Sequence, residues 1–231
     1  MASIQKILEE MTAVYAQKIT EKIDLTLQFK LLPGENVWFL RSKPGESLQI
    51  TKSCQVEPQI IFSFSEETLL AIYTGKMTGL TAMGRENISD RTPLDFSLGE
   101  NVSMTPDLMA KLLTFVQRFF NPTHPEKVIF NKSSARLVHG GWGIPMFYHS
   151  GFRSGWYQLD QGQRLNEPGD VNPFEQAFVI ISGKGYAKIG ENSVEVREGE
   201  AYYIPPQSEH LLWNDNPEPL CLIYLAWGEN A

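Results

Sequence analysis

After the segment Asn121–Pro125, NPTHP, the chain changes its hydrophobic period from a helical repeat of about 3.6 residues to the two-residue alternation of strands, and it does not change back. Short apolar runs follow at Gly155–Leu159, Ala177–Ile181, Tyr186–Ile189, Ser193–Arg197, Ala201–Ile204, Leu211–Trp213 and Leu220–Ala226. Gly, Pro, Asn or Asp separates them, and no helix is expected after residue 121. Strands this short and this closely spaced predict a barrel or sandwich, which closes or shields its sheet edges. The two prolines of NPTHP stop the helix before them. The reading is therefore a domain over 1–120, a linker over 121–130 and a second domain over 131–231.

The first half mixes both periods. Ile4, Ile7, Leu8, Met11, Val14 and Tyr15 share one helical face behind Ser3, a plausible cap. Ile23, Leu25, Leu27, Phe29 and Leu31 alternate with polar residues as a strand that Pro33-Gly34 ends. Val37–Arg41 and Ser47–Lys52 flank a Pro44-Gly45 turn, and Ile60–Phe64 makes a fourth strand. Ser65 with Glu66 and Glu67 opens a second helix that Gly75 closes. Thr105-Pro106 opens a third, with Leu108, Met109, Leu112, Leu113, Val116, Phe119 and Phe120 along one stripe. An α+β layer of helices on an antiparallel sheet is expected.

Composition removes several function classes. The 231 residues are 42% apolar, enough for a core, and the formal charge of -7 comes with no Lys/Arg run, so neither nucleic acid nor an anionic membrane surface is an expected partner. Cys54 and Cys221 lie far apart and suit reduced thiols, which points to a cytoplasmic location. Gln5, Lys6, Glu9 and Glu10 interrupt the opening helix, so it does not read as a signal peptide. No run reaches the ~18 apolar residues of a membrane span, so no membrane insertion is expected.

The stretch Ser65–Arg85, SEETLLAIYTGKMTGLTAMGR, resembles the sterol carrier protein 2 family in its helix, the glycine that ends it and the following Ala82, Met83, Gly84, Arg85 element. The resemblance covers roughly residues 3–120. It implies an apolar tunnel between sheet and helices for a lipid or other hydrophobic molecule. Six of the seven methionines, Met1, Met11, Met77, Met83, Met104 and Met109, fall in this half, where they suit either an adaptable apolar ligand or plain core filling.

In GEAYYIPPQSEHLLWN, Gly199, Pro205, His210 and Asn214 are separated by five, four and three residues. This resembles the second signature of the cupin family, with Gln207 where the pattern has a further glycine. Anchored on Gly183, the first signature places Asp170, Asn172 and Gln176 where the family brings two His and a Glu to a metal. The resemblance implies a double-stranded β-helix barrel whose pocket persists, with ligand-binding residues Asp170, Asn172, Gln176, Phe178, Ile180, His210 and Leu212. First-row metals favour imidazole and carboxylate, so this donor set argues against a divalent metal, and no cofactor is assigned. Glu175 would reach the pocket only through a one-residue slip that turns it to the other face, while His149 and His139 read as turn residues.

The leading reading is a two-domain protein that binds a hydrophobic molecule and a small molecule, with homodimer pairing through strands as the family resemblance implies. The alternative is a cupin enzyme, an oxygenase or isomerase, acting on an apolar substrate presented by the first domain. His210 would then be the acid or base and Asp170 its orienting partner. A third possibility is a structural or partner-binding chain with both pockets filled.

Overall fold

The computed structural model describes residues 3–19, 23–43, 45–54, 56–87, 89–229 and 231; Met1 and Pro44 lie outside the described residues. The chain forms two compact units, one of Met1–Met83 with Arg91–Ile129 and one of Gly84–Asp90 with Phe130–Ala231.

In the first unit, helix α1 (Ile4–Lys18) starts where Ser3 Oγ accepts the Lys6 amide, and it buries Ile7, Leu8, Met11, Thr12 and Tyr15. Strands β1 (Leu25–Leu32), β2 (Val37–Ser42) and β3 (Ile50–Thr51) form a meander, and β4 (Ile60–Ser65) follows. Ser65 caps α2 (Glu66–Tyr73) by accepting the Thr68 amide at 3.1 Å. The short α3 (Gly79–Ala82), β5 (Leu94–Leu98) and α4 (Pro106–Phe119) complete the unit. The sheet order is β3-β2-β1-β4-β5. It is mixed rather than antiparallel, because β4 joins the free edge of β1 in parallel, Leu27 opposite Ile60. Alternation along a strand is the same for either direction, so the sequence pattern does not carry this; the β2–β3 meander serves as the crossover that a parallel pair needs.

Phe29, Phe62 and Phe64 from the sheet meet Phe115, Phe119 and Phe120 from the end of α4 and Tyr15 from α1, none more than 2% exposed. Phe29 and Phe119 stack at 5.2 Å, Phe115 and Phe119 at 4.9 Å, and Tyr15 meets Phe115 edge-on at 5.2 Å. These rings occupy the layer in which the family resemblance implied a tunnel. Gly79 lets α3 close onto the chain at Phe120: its amide donates to the Phe120 carbonyl at 2.8 Å, and an added Cβ would lie 2.3 Å from that of Phe120.

The second unit is all-β apart from one 3-10 turn, Lys132–Ser134, capped by Asn131; this is the exception to the expectation of no helix after residue 121. Its strands are β6 (Arg136–Val138), β7 (Gly141–His149), β8 (Phe152–Leu159), β9 (Arg164–Leu165), β10 (Glu175–Ser182), β11 (Lys184–Ile189), β12 (Asn192–Arg197), β13 (Ala201–Ile204), β14 (His210–Trp213) and β15 (Leu220–Trp227). They make a six-stranded sheet, β13-β10-β15-β8-β7-β6, and a four-stranded sheet, β12-β11-β14-β9. Phe178, Ile180, Leu222 and Leu159 from the first sheet pack against Leu212, Ala187, Val196 and Leu165 from the second. This is a double-stranded β-helix. Strands β6 and β7 have no counterpart in the sequence reading, since Gly141, Gly143 and Pro145 break the apolar alternation and a bulge follows Pro145.

Removing one of the stacked rings tests the first core. Phe119→Ala is expected to destabilise the protein by about 3–5 kcal/mol in chemical denaturation, as for a fully buried aromatic side chain.

Candidate functional site

Register decides which side chains face the barrel interior. Gln176, Phe178 and Ile180 of β10 stand opposite Ala226, Tyr224 and Leu222 of β15, and β15 in turn sets Tyr224 opposite Gly155 and Leu222 opposite Tyr157 of β8. From the other sheet, His210 and Leu212 pair with Ile189 and Ala187. At the centre lies a polar chain. The Tyr224 hydroxyl donates to Gln176 Oε1 at 2.7 Å, Asn172 Nδ2 donates to the same oxygen at 3.1 Å, and Asn172 Nδ2 lies 3.3 Å from His210 Nε2. His210 Nδ1 lies 3.1 Å from the Ser208 carbonyl, so the neutral ring donates there and accepts from Asn172 through Nε2. Gln176 and His210 are 0% and 2% exposed.

Burial is the main cause that lowers the His210 pKa below the ordinary imidazole value. The Ser208 carbonyl and the Asp170 charge and carbonyl oppose it, and His139 adds to the lowering. Burial likewise raises the Tyr224 phenol to about 12. Gln176 Nε2 has no hydrogen-bond partner, the one buried side-chain atom in this state among the described residues of the second unit.

The predicted residues separate into groups. Asn172, Gln176 and His210 converge, while Phe178, Ile180 and Leu212 are buried in the apolar core beneath them. The Asp170 side chain is exposed and accepts the Glu167 amide at 2.9 Å, closing a turn. Glu175 accepts from the Tyr203 hydroxyl on the outer face. His149 is exposed and stacks on Phe152, and His139 holds a left-handed turn with φ 53. Two motif positions hold backbone. Asn214 Nδ2 donates to the Leu159 and Glu218 carbonyls, and Gln207 keeps the left-handed φ of 62 that suits the motif's glycine while its amide donates to Asn172 O. Tyr224 is among the aromatics that the sequence offers as pocket lining, whereas Arg153 carries no sequence signal; the register of β15 and β8 puts both on the inner face.

Whether these residues suit a transition metal follows from their chemistry. One imidazole and two amides meet, the Asn172 nitrogen rather than an oxygen faces His210, and Gln176 Oε1 already accepts two hydrogen bonds. The one carboxylate of the set, on Asp170, caps its own turn. Among the described residues no three His, Cys, Asp or Glu side chains cluster as a metal site. The arrangement does not fit a first-row metal.

The first unit offers a second candidate site. A surface groove of about 730 Å³ runs along α1 at Thr12, Ala13 and Ala16 and is closed on its other side by Leu48, Gln49 and Ile50.

Because the folded pKa of His210 is lowered, the unfolded chain takes up the proton more readily. This contribution to stability is complete above the ordinary histidine pKa of about 6.5 and is lost as pH falls through the lower folded value. Thermal melts should show a midpoint that drops over this window, and His210→Gln should flatten that drop.

Comparison with known proteins agrees with this division. Residues 155–226 match the cupin domain family and residues 4–88 the SCP-2 sterol transfer family. No curated protein matches the chain significantly. Among solved structures, a Cupin 2 conserved barrel domain protein from Salinispora arenicola is 17% identical over 45% of this chain and 88% of its own, with a TM-score of 0.40. The plu4264 protein of Photorhabdus luminescens is 18% identical over 44% and 87%, with a TM-score of 0.41. TT1209 of Thermus thermophilus is 21% identical over 44% and 97%, with a TM-score of 0.38. The chain therefore carries an N-terminal domain of the SCP-2 sterol transfer family followed by a C-terminal cupin domain.

Proposed function

We propose that this is a binding protein with two ligand sites, in which the cupin barrel takes a small molecule by hydrogen bonds without a transition metal. The observation that carries the reading is the chain Tyr224–Gln176–Asn172–His210, in which Gln176, Asn172 and His210, at three of the metal-ligand positions of the family, bond one another and Tyr224 and leave a buried amide N–H of Gln176 unpaired. A buried donor is normally satisfied, so an open one inside a barrel marks the place for an acceptor.

The sterol-carrier-like part, read over 1–120, takes a hydrophobic molecule. With its sheet-to-helix layer packed by phenylalanine rings, the groove along α1 is the place for such a molecule, and its volume lies within the usual range of about 300–1,000 Å³ for small-molecule sites. The barrel is read over 131–231, joined through 121–130. Pairing of two copies is supported by Ile181 and Tyr203, 39% and 52% exposed on the outer side of β10 and β13. Two half-buried free thiols, Cys54 and Cys221, support a reducing, cytoplasmic setting.

Two measurements test the reading. Elemental analysis of the full chain is expected to show substoichiometric iron, manganese, nickel and zinc; a full equivalent of one metal whose removal lowers the melting temperature would refute the metal-free barrel. Ala16→Trp, at an exposed position on α1, is expected to abolish binding of a fluorescent fatty acid by filling the groove while the melting temperature stays within a few degrees. Undiminished binding removes the groove from the proposal.

A further inference from the structure

The inner wall of the barrel is not buried uniformly. Arg153, Tyr157 and Tyr224 share the face of Gln176 and Phe178 by register, since Arg153 lies opposite Ala226, Tyr157 opposite Leu222 and Tyr224 opposite Phe178. Yet Arg153 is exposed and both tyrosines are half-buried, while Gln176 and Phe178 are 0% exposed. Gln176, Ala226 and Arg153 form one row across β10, β15 and β8, so this row is open to solvent at Arg153 and closed at Gln176, with the small Ala226 between them. Two glycines keep this path wide. The Tyr157 ring lies flat on β7 and β8, where a Cβ at Gly143 would come within 2.8 Å of it and one at Gly155 within 3.2 Å.

The groups along the path are mostly donors. The Arg153 guanidinium lies 4.7 Å from the Phe174 ring, and Phe174 packs with Ala226, Ala231 and Tyr224. Burial raises the phenols of Tyr157 and Tyr224, and the Arg153 charge pulls both back, which places the cation within electrostatic reach of each. Glu86 acts on Tyr157 in the opposite sense. At the closed end of the row, the Gln176 amide N–H has no hydrogen-bond partner. A cation and a neutral donor at the two ends of one row, with aromatic surface beside them, suit a planar anion with an apolar body.

Building on the metal-free reading above, we propose that the cupin barrel binds a small organic carboxylate, its charge toward Arg153 and the Gln176 amide and its apolar part against Phe174 and Tyr157. Arg153 and Gln176 determine specificity for the anion.

Calorimetric titration of the full chain with benzoate, and with benzamide as the neutral counterpart, tests this. One benzoate should bind per barrel, with benzamide roughly tenfold weaker or worse, the loss of one charge-assisted contact. Arg153→Gln, at an exposed position, should weaken benzoate by a similar factor and so remove its preference over benzamide. Gln176→Glu, which sets a second anion at the closed end of the row, should abolish benzoate binding, with near-ultraviolet circular dichroism as the check on folding. Equal binding of benzoate and benzamide, indifference to Arg153→Gln, or binding of neither overturns the proposal. Equal binding would leave the metal-free binding barrel standing, whereas benzoate binding only after metal is added would sink that underlying reading as well.

Discussion

The pairing of β10 with β15 is the constraint on which the rest of the barrel depends. It aligns Gln176, Phe178 and Ile180 with Ala226, Tyr224 and Leu222, and a slip of one residue would carry every one of these side chains to the outer face. Two of the three inward residues on β10 are apolar and fully buried, so the register is held by the core and the third inherits its position. The residue at 176 is thus free to change chemistry without changing place. That is how a metal-binding barrel can become one that presents an amide.

A different division of labour governs the first unit. Seven rings from α1, the sheet and the end of α4 pack at centroid distances between 4.9 and 6.4 Å, the range in which aromatic pairs attract. Each fully buried ring contributes on the order of 3–5 kcal/mol when judged by truncation, which makes this layer the stabilising element of the unit. An interior so committed to packing has little room for a guest. The groove along α1 lies elsewhere, between small side chains of α1 and the segment at 47–50, so ligand and core need not compete.

What the sequence made legible was local. Ser3, Ser65 and Thr105 each cap the helix that they were read to cap, because capping needs only a side-chain oxygen and an amide three residues on. Strands with clean alternation, such as Ile60–Ser65, were found to within a residue or two. Beyond β5, β6, β7 and β9, which the sequence pattern does not mark as strands, the misses concern relations between distant segments. The parallel pairing of β1 with β4 leaves no mark on either strand, and β7 hides behind Gly143 and Pro145. Within the site, the spacing around Gly183 placed Asn172 and Gln176, but not the turn in which the Asp170 carboxylate binds its own backbone. Tyr224 and Arg153 face inward because of their partners across the sheet, which no motif records.

The balance of hydrogen bonds inside the barrel argues that its polar centre is not a relic. Gln176 accepts two bonds through its oxygen and leaves its nitrogen unpaired at 0% exposure. An unsatisfied buried donor costs about 1–3 kcal/mol, and here it stands beside the apolar wall of Phe178 and Ile180. His210 adds to the polar centre, since burial disfavours its charged form while its ring bonds Asn172 and the Ser208 carbonyl. Polar groups kept at a cost, on a wall that solvent reaches from one end, are what a binding site requires and a scaffold does not.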